Sequence, residues 1–313
     1  MRLAHLAFVL LLAACASGAE YAERAEERYP PVGQFMVIDG ARLHFVDQGI
    51  GPAVIFIHGA NSNLRDWTFE IMGRLSPNHR VIAFDRPGHG HSDAAGVGVS
   101  PKEQALYLAG AARQIGVDKA IIVGHSLGGA VALAWAIERP EMVEAVVTLA
   151  GTSHPYSGRG DTLYWLASRS VTGPIAESAA RAYIGEEPPE DLIFDVFAPN
   201  EVIEGYGEHI GASLALRPGS FERNADEINQ LSGHLELQRL NYDRIVAPVV
   251  MMHGESDRTV LLDDHAVKLY GELQTASLII MPGVGHMIHQ VAVDKIVSEI
   301  ENLTYGAPLS PSG

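Results

Sequence analysis

A single cysteine, Cys15, occurs among 313 residues, so no disulfide can form within the chain and the fold must stand on its core. Basic residues are also scarce, with 22 Lys and Arg against 38 Asp and Glu and a formal charge of -16. Without a surplus of cations the chain is poorly equipped to displace counterions from phosphates, which argues against nucleic acid as a partner. Bilayer-spanning apolar runs are missing, as are repeats and low-complexity tracts. The His89-Gly90-His91 triplet lacks companions at metal-ligand spacing, so no metal is expected. Nothing in the sequence calls for an obligate protein partner. What remains is an ordinary globular composition, 47% apolar and 19% charged, on a chain long enough to bury roughly three quarters of its unfolded surface.

The N-terminus has its own character. Arg2 precedes an apolar run, Leu6 to Ala14, of the length of a secretory h-region. The run ends Leu12-Ala13-Ala14-Cys15, which resembles the lipobox of bacterial lipoproteins, where the signal is removed before the cysteine and that cysteine takes the lipid. The expectation is a signal peptide over 1–14, lipidation at Cys15, and a tether over 15–31 closing at Pro30-Pro31. The protein would then be an exported, membrane-anchored lipoprotein facing the periplasm or cell surface.

From Gln34 onward, short β-branched runs alternate with amphipathic stretches, the pattern of parallel strands joined by crossover helices, so the class is α/β. Asp39-Gly40 between two short runs predicts an antiparallel pair at the start. Val54–His58, Val81–Asp85, Ala120–Gly124, Ala145–Leu149, Val249–His253 and Leu278–Met281 read as central strands covered on both faces. Residues 152–241 break the alternation and read as an inserted helical cap. The core then comprises 32–151 and 242–304, and the Pro/Ser/Gly-rich tail 305–313 is expected to fray.

Gly124-His125-Ser126-Leu127-Gly128 joins a predicted strand to a predicted helix. A sharp turn there exposes the serine hydroxyl, the flanking glycines avoid clashes, and the helix N-terminus favours developing negative charge. A serine hydroxyl needs a base, and the base needs an orienting carboxylate. His286 follows the last strand in Pro282-Gly283-Val284-Gly285, and Asp257 follows the preceding strand, with Glu255 in the same loop as the second choice of acid. For the oxyanion, one donor is the Leu127 amide; the other belongs to the loop after Phe56-Ile57-His58-Gly59, with Ala60 first and Asn61 second.

Taken together, His58-Gly59, Asp85-Arg86-Pro87-Gly88-His89-Gly90-His91-Ser92, Gly124-His125-Ser126-Leu127-Gly128-Gly129, Asp257 and Gly285-His286 resemble the α/β-hydrolase superfamily over about Val32 to Leu303. The resemblance implies a mostly parallel sheet flanked by helices, a cap that sets substrate choice, and esterase, lipase, lactonase or carbon–carbon bond hydrolase activity without a cofactor. Haloalkane dehalogenases and epoxide hydrolases drop out because they carry Asp where this chain has Ser126. Ester hydrolysis of a small molecule is the leading expectation. The rivals are a carbon–carbon hydrolase or lactonase on the same triad, and a tethered binding protein without turnover. Tyr164, Trp165, Phe194, Phe197 and Tyr206 are available to line a pocket or pack the cap.

Overall fold

Strands with apolar residues at every position need cover on both faces, and the chain supplies it. The computed structural model describes residues 18–156, 177–179, 181 and 190–306. Eight strands, β1 (Gln34–Ile38), β2 (Ala41–Gln48), β3 (Ala53–Ile57), β4 (Arg80–Phe84), β5 (Ala120–His125), β6 (Val143–Leu149), β7 (Val249–Gly254) and β8 (Ala276–Met281), form one sheet in the order β1-β2-β4-β3-β5-β6-β7-β8. β1 and β2 pair antiparallel across Asp39-Gly40, and β3 to β8 run parallel. The protein is therefore an α/β fold with a mostly parallel sheet.

Alternation along the parallel strands sorts their side chains into two cores. Ile55, Ile57, Ile82, Phe84, Ile122, Val146 and Met251 face the helices Pro101–Gln114 and Leu127–Glu138. Val54, Phe56, Val81, Ile121, Val123, Val147 and Met252 face Trp67, Met72 and the C-terminal helix Val293–Tyr305. The helix Pro101–Gln114 starts cleanly because Ser100 and Glu103 form a capping box and Pro101 fits the first turn.

The chain runs outward from β3 to β4, then returns to place β5 on the other side of β3. That reversal makes the C-terminal ends of β3 and β5 a topological switch point, the place where open α/β sheets usually bind ligands. Ile57 is level with Gly124 across this pair, so the loop after β3 and the turn after β5 stand side by side.

The expected tether differs in part. Residues 18–28 are helical, and Tyr21, Ala25 and Tyr29 are buried against Leu214, Leu216, Phe221 and Ala225. The four-residue spacing puts one apolar stripe on an otherwise charged helix. Arg65 donates to the Pro30 carbonyl at 2.6 Å, and His91 Nε2 to that of Tyr29 at 2.9 Å. Much of the expected cap, and the residues 1–17 and 307–313, fall outside the described residues. Within the cap region, the helix Ser220–Gln238 does not stand apart: Leu231 and Leu235 join the core beneath it.

Candidate active site

The turn after β5 is tight because two glycines let backbone meet backbone. A Cβ on Gly124 would lie 2.1 Å from the Gly128 carbonyl oxygen, and one on Gly128 would lie 2.2 Å from that of Ile57. Ser126 sits between them at φ +53° and ψ -120°, a conformation that non-glycine residues rarely adopt and that surrounding structure must enforce. The enforcement is visible. The Ser126 amide donates to the Leu149 carbonyl at 3.0 Å, and the Ser126 carbonyl accepts from the amides of Gly129 and Thr152 at 2.9 and 3.0 Å. The helix Leu127–Glu138 begins directly after it with no side-chain cap, so its first amides, those of Leu127 and Gly128, have no intrahelical partner.

The loops after β7 and β8 bring the Asp257 carboxylate and the His286 imidazole together. Asp257 Oδ2 lies 2.8 Å from His286 Nδ1. Asp257 Oδ1 accepts from the amides of Thr259 and Val260 at 2.8 and 2.9 Å. Burial pushes the Asp257 carboxyl up, but His253, His286 and the Val260 amide outweigh it and hold it well below the usual carboxylate range. Asp257 is therefore ionised and can only accept, so His286 carries a proton on Nδ1 and donates it to Asp257. Glu255, the other acid in that loop, is exposed. Asn200 fixes the histidine loop by accepting from the Gly285 amide at 2.8 Å and donating to the Gly283 carbonyl at 3.1 Å. The His286 ring stands 4.8 Å from that of His125, the residue preceding Ser126. Among the described residues the Ser126 hydroxyl makes no hydrogen bond, so its link to His286 is open in this state; such links often tighten only with substrate.

The loop after β3 approaches the serine closely: a Cβ on Gly59 would stand 3.1 Å from Ser126 Cβ. Arg86, fully buried, grips this loop from below, donating to the carbonyls of His58 and Gly59 at 3.0 and 2.9 Å. Its charge is balanced by Glu227 at 2.6 Å, which His89 and Arg223 also approach. Burial opposes the charge on Glu227, but Arg86, His89 and Arg223 outweigh it and hold this carboxyl far down. From above, Asn224 on the helix Ser220–Gln238 clasps Asn61. The Asn61 amide donates to Asn224 Oδ1 at 2.8 Å and Asn224 Nδ2 donates to Asn61 Oδ1 at 2.5 Å. Asn61, at φ +54°, thus has its amide engaged by Asn224.

Sequence reasoning did not reach Asn61's clasp, Asn200 or Glu227, because each contact joins the core to an inserted segment with no motif to mark it. Of the aromatics expected near a pocket, Tyr164 and Trp165 lie outside the described residues. Phe194 is exposed, whereas Phe197 and Tyr206 pack with Ile210 and Met287 rather than facing open space.

The comparisons agree with this architecture. The 2-(acetamidomethylene)succinate hydrolase of Mesorhizobium japonicum is 27% identical over 268 residues, 83% of this chain and 90% of that protein. The match to the dihydrolipoyllysine-residue acetyltransferase component of the acetoin cleaving system of Cupriavidus necator is 34% identical over 125 residues and spans only 33% of that longer protein. Among solved structures, the enol-lactonase of Burkholderia xenovorans superposes with a TM-score of 0.65 at 16% identity, covering 86% of this chain and 99% of that one. The pattern of the alpha/beta hydrolase family matches residues 54–299, which takes in β3 through most of the C-terminal helix. The chain belongs to the alpha/beta hydrolase family.

Proposed function

We propose that this chain is a serine hydrolase that cleaves a carboxylic ester of a small molecule. Ser126 Oγ attacks the acyl carbon while His286 Nε2 takes its proton, and Asp257 holds the imidazole and stabilises the charge it gains. The amides of Leu127 and Ala60 receive the oxyanion, a contribution worth about 2.7 to 4 kcal/mol for each donor. His286 returns the proton to the departing alkoxide. Water, deprotonated by the same imidazole, then releases the acid from Ser126. The observation that carries the reading is the Asp257–His286 pair at 2.8 Å beside a serine held at φ +53°.

A lactone is an internal ester and would follow the same course with the alcohol retained on the acyl group. The likeness to an enol-lactonase supports that second reading; carbon–carbon bond cleavage would use the same three residues. A fluorophosphonate probe with peptide mapping, joined to parallel series of p-nitrophenyl esters, lactones and vinylogous diketones, separates these readings. Labelling at Ser126 is expected, and Ser126→Ala should lower kcat by roughly 10³- to 10⁶-fold. A folded protein that neither labels nor turns over any series would support the binding-protein reading, or a cap that stays shut without its own substrate.

We also propose that Cys15 carries a lipid, on the strength of the Leu12-Ala13-Ala14-Cys15 run behind an apolar stretch. Cys15→Ser should abolish labelling by a fatty-acid analogue in bacterial cells and move the protein out of the membrane fraction. Persistent labelling of that variant would remove Cys15 as the acceptor.

A further inference from the structure

One buried cluster is not used by the proposed chemistry. Asp66 comes from the short helix Arg65–Thr68, His125 from the end of β5 and His289 from the helix Ile288–Val291. One donor atom from each lies within 4.8 Å of the others, and all three residues are buried. Their proton positions follow from their neighbours. His125 Nε2 lies 3.1 Å from the His286 carbonyl oxygen; a carbonyl only accepts, so the proton is on Nε2 and Nδ1 is a bare lone pair. That Nδ1 is buried without a partner, and so are both ring nitrogens of His289.

His289 Nε2 stands 3.2 Å from Asp66 Oδ1 but does not make an aligned hydrogen bond to it. A separation of that size is what two ligands show when each sits about 2.0 to 2.1 Å from one tetrahedral ion. Asp66 is oriented by its surroundings: the Tyr206 hydroxyl donates to Oδ1 at 2.5 Å, Ser62 donates to Oδ2, and Gln290 binds the Asp66 carbonyl at 2.7 Å. His125 donates its one N–H, on Nε2, to a backbone carbonyl, the arrangement by which metal-binding imidazoles are held in the correct tautomer. His125 Nδ1 and both ring nitrogens of His289 are thus buried without an aligned hydrogen-bond partner, and a bound ion would satisfy lone pairs that the protein leaves bare.

We infer that Asp66, His125 and His289 bind one divalent transition-metal ion, with zinc as the reference case and water completing the sphere. Two imidazoles and one carboxylate suit zinc, cobalt or nickel over magnesium or calcium. The ion would join the turn that carries Ser126 to the segment just after His286, two parts of the chain otherwise linked here by the His125–His286 hydrogen bond. The assignment stands apart from ester hydrolysis, since it needs no substrate.

The test uses the untagged full chain, stripped with a chelator and given zinc chloride or cobalt chloride alone. Titration calorimetry should show one tight equivalent of zinc. Zinc should raise the thermal midpoint, and cobalt should give the intense visible bands of a tetrahedral site. Crystals grown with equimolar zinc should show an anomalous peak about 2.0 to 2.2 Å from a donor atom of each of the three residues. The Asp66→Asn/His289→Gln double variant should bind zinc more than about 100-fold more weakly. Absence of the anomalous peak at this cluster, including a peak only at His286 or a surface histidine, overturns the assignment, and this readout stands whether or not the double variant folds. Unchanged zinc affinity in a folded double variant overturns it equally.

Discussion

At the scale of single residues, the site divides into parts that a sequence can announce and parts it cannot. Ser126 follows β5 directly, and Asp257 and His286 lie within five residues of the ends of β7 and β8; glycines mark the turns around Ser126 and His286, so local pattern was enough to bring them to notice. Asn224 had no such signal: it lies 163 positions from Asn61 in the chain, inside a charged helix whose apolar spacing advertises only its packed face. Its consequence is testable. Removing the clasp frees the Asn61 amide and loosens the loop that carries Ala60, the proposed second oxyanion donor. Asn224→Ala should therefore lower kcat by about 10-fold or more on a good ester substrate while KM changes little, because an oxyanion donor acts mainly in the transition state. Equal losses in kcat and in thermal midpoint, with KM rising, would assign Asn224 to the stability of the helix instead.

At the scale of elements, strand and helix positions were legible because apolar runs and periodicity are local properties. The eight-strand order was not, since nothing within β3 or β5 states that they are neighbours across a crossover. Residues 18–28 show the reverse failure. Their Glu and Arg content suggested a free tether, while the stripe of Tyr21, Ala25 and Tyr29 has meaning only once Leu214 and Phe221 are there to cover it. Glycines make two opposite predictions here. Gly124→Ala forces a Cβ to within 2.1 Å of a backbone oxygen and should destabilise the protein by at least about 3 kcal/mol or prevent its folding. Gly233→Ala, in the middle of the helix Ser220–Gln238 with nothing within 4 Å of the added carbon, should stabilise by about 0.8 to 1 kcal/mol. Urea unfolding of both variants checks the pair.

At the scale of the whole molecule, histidines that fold neutral cost stability in acid. Burial, reinforced by the charges of Arg86 and His89, brings His58 down to about 3, and burial with His253 and His154 brings His265 down to about 4. Below an unfolded-state value near about 6.5 the unfolded chain binds protons that the folded chain refuses, so stability falls as pH drops from there toward each folded value. For fully buried His58 this amounts to about 1.4 kcal/mol per pH unit across that window. The urea midpoint should decline steadily between about pH 7 and about pH 5. A flat profile over that range would mean that these imidazoles are charged in the fold. The docked N-terminal helix bears on how the molecule would travel. Only Ala16 and Ser17 stand between Cys15 and residue 18, a span of about 11 Å at full stretch. Should Cys15 be acylated, the leash would be shorter than the body it holds. Encounters with substrate would then be set by sliding within the plane of the lipid, favouring molecules that partition into that plane over those that stay in the water beyond it.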